Sequence, residues 1–373
     1  MKSKSSRKIR YAVVGLGHLA QVAVLPAFKS AKNSQLVALV SDDAEKRKKL
    51  GKQYGVDRVS SYKEYENCLS QEVDAVYIVL PNHLHKEYAV RAAKMGVHVL
   101  CEKPMAVTVK DCQAMIDAAE GNGVKLMIAY RLHFEKANLE AVRLVEAGKL
   151  GTLRLFGSEF AQQVAADNIR LTEPVSRGGG PVYDMGIYCI NAARCLFREE
   201  PTVIFAASAN TGETRFRKTE EMTSVLMRFP GERLATFTGS FGAAPVSSYT
   251  VVGTKGSVVA NPAYEYSEGL QLRITINEKT RIRKFPKRDQ FAAELVYFSD
   301  CILQNKEPEP SGVEGLADVR IIEAIYESVH AAKPVHLPPF SRRTRPTPRQ
   351  EIGRPAHRLP RTVKVKSASG EAA

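Results

Sequence analysis

Gly15-Leu16-Gly17-His18-Leu19-Ala20 decides the fold, because of what stands on either side of it. Ahead of it residues 11–14 (Tyr-Ala-Val-Val) make a short apolar run, and a helical pattern follows it. A strand that stops at glycines and passes straight into a helix turns tightly and lets a pyrophosphate approach the backbone. The helix then presents its unpaired N–H groups and positive end to that phosphate. The hexapeptide alone is a weak signal, but in this strand, turn and helix context all six residues are expected to cradle a dinucleotide rather than form a merely structural turn.

The same alternation continues to residue 130. Short apolar runs at 36–40, 75–80, 97–101 and 126–129 are separated by helix-like stretches such as 87–94 and 110–120. Apolar runs without polar alternation need burial on both faces, which means a parallel sheet covered by helices. From about residue 150 the pattern changes. Leu153-Arg154-Leu155-Phe156 and residues 222–229, 234–241 and 270–276 alternate, as antiparallel strands with one solvated or partner-facing side do. A helical stretch, Val319-Ile322-Tyr326-Val329, closes the folded part. The expected fold class is therefore α/β. It comprises a Rossmann dinucleotide-binding domain (residues 1–130), an α/β domain with an open, mostly antiparallel sheet (131–339) and a basic disordered tail (340–373).

Bulk properties bound the function. A chain of 373 residues suits two domains, and 44% apolar with 25% charged residues is ordinary for globular proteins. No apolar run approaches the roughly 18 residues of a membrane helix, and the run after the basic N-terminus is too short for a secretory signal. A soluble, cytoplasmic protein without membrane partners is expected. Cys68, Cys101, Cys112, Cys189, Cys195 and Cys301 show neither zinc spacing nor a dense disulfide framework, so they should be reduced and inert, with no metal site. The net charge of +14 resides mainly in two tails: residues 1–10 hold five Lys/Arg and no acid, and 340–373 hold nine against Glu351 and Glu371. The body is left nearly neutral, and no specific nucleic-acid partner is implied.

Five further segments carry chemistry. Val40-Ser41-Asp42-Asp43-Ala44-Glu45-Lys46-Arg47 ends the second strand, where the ribose of a dinucleotide is read. If Ser41 is the contact, with Lys46 or Arg47 over it, NADP is favoured; if Asp42 is, NAD. Either aspartate could simply cap the next helix. Glu102-Lys103-Pro104 ends a parallel strand on the ligand-binding edge, where a lysine can offset the charge of an alkoxide, or merely pair with Glu102. In Gly178-Gly-Gly-Pro-Val-Tyr-Asp184-Met-Gly-Ile-Tyr188-Cys-Ile-Asn191, Asp184 and Tyr188 lie four apart and so share one helix face. The bland alternative makes them a cap and a core aromatic. Pro81-Asn82-His83-Leu84-His85 and Tyr130-Arg131 follow the other two strands, and His85 alone would more often be structural.

Taken together, GLGHLA, PNHLH, CEKP, AYRLHFE and GGGPVYDMGIYCIN resemble, in order and spacing, the glucose-fructose oxidoreductase and inositol dehydrogenase family. The resemblance spans about residues 8–336 and is strongest to the glucose-fructose oxidoreductase branch, since Tyr188 stands where inositol-dehydrogenase-like members tend to carry histidine. It implies an open sheet that forms a homo-oligomer (dimer or tetramer) and a catalytic group of Lys103, Asp184 and Tyr188, with Arg131 beside them. It also implies that Ser41 and Lys46 hold a 2′-phosphate, that Pro81, Asn82, His85, Glu102, Lys103 and Arg131 border the cofactor, and that NADP is the cofactor. Asp42 departs from that sub-family's small residue and keeps NAD open. The chain also has only about ten residues before its first strand, where that branch has an export signal and an arm that helps retain cofactor. This favours an exchangeable cofactor. The expected activity is hydride transfer between a nicotinamide cofactor and a cyclic sugar or polyol, at the anomeric carbon. The alternative is a catalytically silent dinucleotide-binding sensor of the same fold.

Overall fold

The computed structural model of the chain describes residues 7–342 and 344–369; the remaining residues, including most of the basic N-terminal stretch, lie outside the described residues. Six strands build the first sheet: β1 (Ile9–Val14), β2 (Ser34–Val40), β3 (Arg58–Ser60), β4 (Ala75–Ile78), β5 (His98–Glu102) and β6 (Leu126–Ala129). They run parallel in the order β3-β2-β1-β4-β5-β6. The order reverses between β1 and β4, so their carboxyl ends open a crevice there. The apolar runs read from the sequence are five of these strands, all but β3; every residue of β4 and β6 is buried, as an apolar run in a sheet covered on both faces requires.

The second sheet contains β7 (Leu153–Ala161), β8 (Val203–Ala209), β9 (Met222–Phe229), β10 (Arg233–Ser240), β11 (Val246–Gly253), β12 (Gly256–Ala260), β13 (Leu270–Ile276), β14 (Lys279–Phe285) and β15 (Val335–His336). Their order is β14-β13-β12-β11-β7-β10-β9-β8-β15, antiparallel except between β7 and β10. Alternation sorts the faces. On β9, Thr223, Val225, Met227 and Phe229 are buried while Ser224, Leu226 and Arg228 are exposed. The helix Ile187–Phe197 contacts β7 and β10, and thereby carries the site residues at its start. The opposite face exposes Leu155, Phe205, Leu226 and Leu234. No helix of the described residues is long and apolar enough to cross a membrane.

Two features differ from the linear division expected from the sequence. The helix Gln290–Leu303, late in the chain, returns to the first sheet, where Phe291, Leu295 and Phe298 share a core with Ile9, Tyr11 and Leu39. The second correction concerns residues 340–373. The described part, up to residue 369, is not a disordered tail but an extended segment laid along the body. Its cations add to acids of the body that already have one partner there, Arg194 for Glu200 and Glu314 and the Ala292 N–H for Asp289: Arg342 meets Glu200 and Glu314, Arg345 meets Glu200, and His357 Nδ1 lies 3.0 Å from Asp289 Oδ2. Val363 is buried, which is worth about 1.5 kcal/mol. Such a segment takes its stability from specific partners rather than from a period of its own, so nothing periodic marks it in the sequence.

Candidate active site

A cleft of about 1530 Å³ runs from the glycine turn to the start of the helix Ile187–Phe197, wide enough for a dinucleotide and a small polyol together. At one end Gly17, His18 and Leu19 form its wall. Gly15 takes a φ of 96°, and a Cβ there would meet the Val79 carbonyl oxygen at 2.3 Å, so only glycine makes the turn. Gly17 has nothing within 4 Å of where its Cβ would stand. This bare backbone, just ahead of the helix that begins at His18, fits the pyrophosphate of a dinucleotide. Leu16 and Ala20 are buried behind the turn, and Leu16 O accepts a hydrogen bond from the buried Gln21 Nε2 at 2.9 Å. Burial, and then Arg170, hold His18 below its ordinary pKa, so near neutral pH its ring adds no charge to the wall.

The other end is a charged cluster. Lys103, one residue beyond β5, donates from Nζ to the Asp184 backbone carbonyl at 2.8 Å and to Asp184 Oδ1 at 3.3 Å. Its ammonium stands 4.5 Å from the centre of the Tyr188 ring. Asp184 Oδ2 pairs with Arg170 Nε at 2.5 Å. Burial alone would raise the Asp184 carboxyl, but Arg170 and Lys103 outweigh it and hold it below the usual carboxylate range. Arg131, two residues beyond β6, donates from Nη2 to Tyr188 Oη at 3.1 Å, and is itself held by Gln290 and the Tyr264 carbonyl. Asp184 and Tyr188 are brought onto one face across a π-helical turn, Val182–Gly186, a local widening frequent at functional sites. The glycines ahead of it dock the loop after β4: Asn82 Nδ2 donates to Gly178 O at 2.8 Å, where a Cβ would meet Asn82 Cβ at 2.7 Å.

Pro81, Asn82, Glu102, Lys103, Arg131, Asp184 and Tyr188 all line this cleft. His85 does not. It is completely buried, with its ring nitrogens each 2.8 Å from the carbonyls of Pro104 and Leu80, so it braces the β4 and β5 loops instead of touching cofactor. Ser41 and Lys46 are not part of the cleft wall; Ser41 Oγ accepts from Asp43 N at 3.3 Å. Asp43 is the helix cap, accepting from Glu45 N and Lys46 N, and Asp42 Oδ1 accepts from Tyr62 N at 2.9 Å. Both aspartates therefore have structural work, as the capping alternative allowed. Sequence reading missed Arg170, Gln290 and Glu294, which carry no local motif. Tyr77 donates to Glu102 at 2.9 Å and lies 3.2 Å from Glu294, and burial raises both carboxyls behind Lys103. His133, Cys195 and Glu314 come together with ligand atoms within 4.8 Å, although their sequence spacing is not that of a metal motif. Arg194 already donates to Glu314 at 3.0 Å, so a cation there would face a guanidinium.

Comparison with known proteins agrees with this geometry. Residues 9–130 match the model of the GFO/IDH/MocA oxidoreductase family with an NAD-binding Rossmann fold, and residues 138–259 match the GFO/IDH/MocA C-terminal domain. The chain belongs to the GFO/IDH/MocA family. It is an NAD(P)-dependent oxidoreductase acting on CH–OH groups. Among its family relatives, the D-xylose 1-dehydrogenase [NADP(+)] of Haloarcula marismortui is 30% identical over 90% of this chain and 95% of that protein. The dTDP-3,4-didehydro-2,6-dideoxy-alpha-D-glucose 3-reductase of Streptomyces violaceoruber is 27% identical over 89% of this chain and 98% of its own length. The crystal structure of aldose-aldose oxidoreductase from Caulobacter crescentus, complexed with glycerol, is 38% identical and superposes with a TM-score of 0.85 over 89% of this chain and all of that one.

Proposed function

We propose that this family member oxidises a cyclic sugar at its anomeric carbon with NADP, or carries out the reverse reduction, with Lys103, Asp184 and Tyr188 as its catalytic group. The observation that carries the reading is the meeting of these three side chains and Arg131 at one end of a cleft whose other end is a bare glycine turn. When bound, the nicotinamide accepts or returns the hydride at carbon; the protein's own part is the proton and its charge. Tyr188 takes the sugar hydroxyl proton in oxidation and gives it back in reduction. Lys103 and Arg131 face the Tyr188 ring from 4.5 and 5.0 Å and offset negative charge as that proton moves. Asp184 fixes Lys103 by side chain and backbone together, and Arg170 holds its other oxygen. The preference for NADP is supported by the NADP-dependent relative and by Asp42 and Asp43 being engaged by backbone N–H groups, which makes them poorer acceptors for a ribose hydroxyl.

The homo-oligomer reading is supported by the exposed Leu155, Phe205, Leu226 and Leu234 on one face of the second sheet. Unpaired, buried cysteines suit a reducing, cytoplasmic compartment. The test is a panel of aldoses, inositols and sugar acids with NADP and NAD, following absorbance of the reduced nicotinamide. Turnover of an aldose with NADP is expected. Bound dinucleotide without turnover on any of them would favour the silent sensor instead.

A further inference from the structure

The C-terminal segment that sequence reading set aside crosses the mouth of the dinucleotide cleft and is tied to both its walls. On the first domain, His357 Nε2 donates to Val22 O at 3.0 Å, and Gln53 Nε2 to Arg361 O at 3.3 Å. Val363 N donates to Gln21 Oε1 at 2.7 Å, while Gln21 Nε2 donates to Val363 O at 3.0 Å. Gln21 is the buried residue that also holds Leu16 O, so the segment is fastened to the back of the glycine turn itself. Five residues later it reaches the second domain, where Ala165 N donates to Ala368 O at 2.9 Å and Lys366 pairs with Asp167 at 3.0 Å. Between these ties, residues 364–369 line the cleft together with Gly17 and His18. Lys364 adopts a left-handed φ of 50° and pairs with Glu45 at 2.5 Å, next to Lys46 at the end where the ribose would be read.

We propose that residues 355–369 form a strap that completes the dinucleotide site, with Lys364 supplying positive charge to the 2′-phosphate of NADP, and that this strap must lift before the cofactor can exchange. The inference rests on the dinucleotide reading of the cleft. Its physical basis is that Glu45 already pairs with Lys49 at 2.7 Å, so a second lysine on that carboxylate leaves net positive charge at this end of the cleft, while Lys366 offsets Asp167 in the cleft wall. On this reading the strap slows cofactor exchange.

The experiment loads the full chain with NADPH, chases with excess NADP and follows the loss of nucleotide fluorescence. It is paired with equilibrium binding of NADP and NAD to the nucleotide-free protein. Deleting residues 355–373 should raise the NADPH dissociation rate at least about tenfold. Val363→Asp, which unseats the strap without removing it, should do the same, and serves if the shortened chain does not fold. Lys364→Gln should weaken NADP about five- to tenfold and leave NAD unchanged. Dissociation and NADP/NAD preference unaltered in the variants, with NADP still bound, would overturn the strap alone. A full-length chain that binds no dinucleotide would overturn the cleft reading and the strap with it.

Discussion

The two ends of the cleft are built on opposite principles. At the sugar end, side chains make the site: Lys103, Asp184, Arg170, Tyr188 and Arg131 hold one another by paired charges and hydrogen bonds. At the dinucleotide end the backbone makes it, through a glycine turn, a helix start and a strap of extended chain fastened by Gln21. Substituting a side chain at the first end should therefore remove chemistry and spare binding. A Cβ or a lost tie at the second should remove binding and spare chemistry.

The largest expected effect lies at the sugar end. Lys103→Met should lower kcat by roughly 10³, and Tyr188→Phe by roughly 10² to 10³, with NADP affinity within about twofold of the parent protein. Steady-state kinetics and fluorescence titration separate the two terms, and weakened NADP binding as the main defect would blur the contrast. Asp184→Asn should be milder, about tenfold to a hundredfold in kcat, because Lys103 keeps its bond to the Asp184 backbone carbonyl.

At the other end two glycines should part company. Gly15→Ala drives a Cβ against the Val79 carbonyl in a left-handed conformation and should cost on the order of 2 to 4 kcal/mol of stability. Gly17→Ala meets nothing in the protein, so its melting temperature should hold while dinucleotide affinity falls at least about tenfold. Thermal unfolding and binding titration on both variants would show it.

How much of this was legible in the sequence depends on how each element is stabilised. Buried parallel strands such as β4 and β6 need unbroken apolar runs, and alternating strands such as β9 need a period of two, so both were visible. β3 has two half-buried residues and an exposed Val59 at a sheet edge and left no signal. Lys103, Asp184 and Tyr188 sit in segments whose glycines and proline constrain the chain locally, and could be singled out. Arg170 and Glu294 reach the site only through tertiary packing, from a short helical turn and from a helix far along the chain. The strap hid because Arg, Pro and Ser without a period look like a solvated tail until the fold brings Glu200, Glu314 and Asp289 within reach of its cations.

The smallest effect is a pH dependence of the strap. The hydrogen bond to Asp289, and then that to Val22 O, raise His357 above its ordinary value; burial and Lys287 oppose them. A raised folded pKa gives stabilisation that is complete below about 6.5 and is lost as pH rises through the folded value. NADPH should therefore leave modestly faster at pH 9 than at pH 6, and His357→Gln should flatten that difference.

The most direct measurement uses an aldose turned over in the panel, deuterated at its anomeric carbon, with NADP and the full chain. The expected result is deuterium in the nicotinamide ring of the NADPH formed, at a rate roughly 10³ lower when Lys103→Met replaces the parent protein. NADPH formed without deuterium, or equal transfer by the Lys103→Met variant, would contradict hydride transfer from that carbon under the Lys103, Asp184 and Tyr188 cluster.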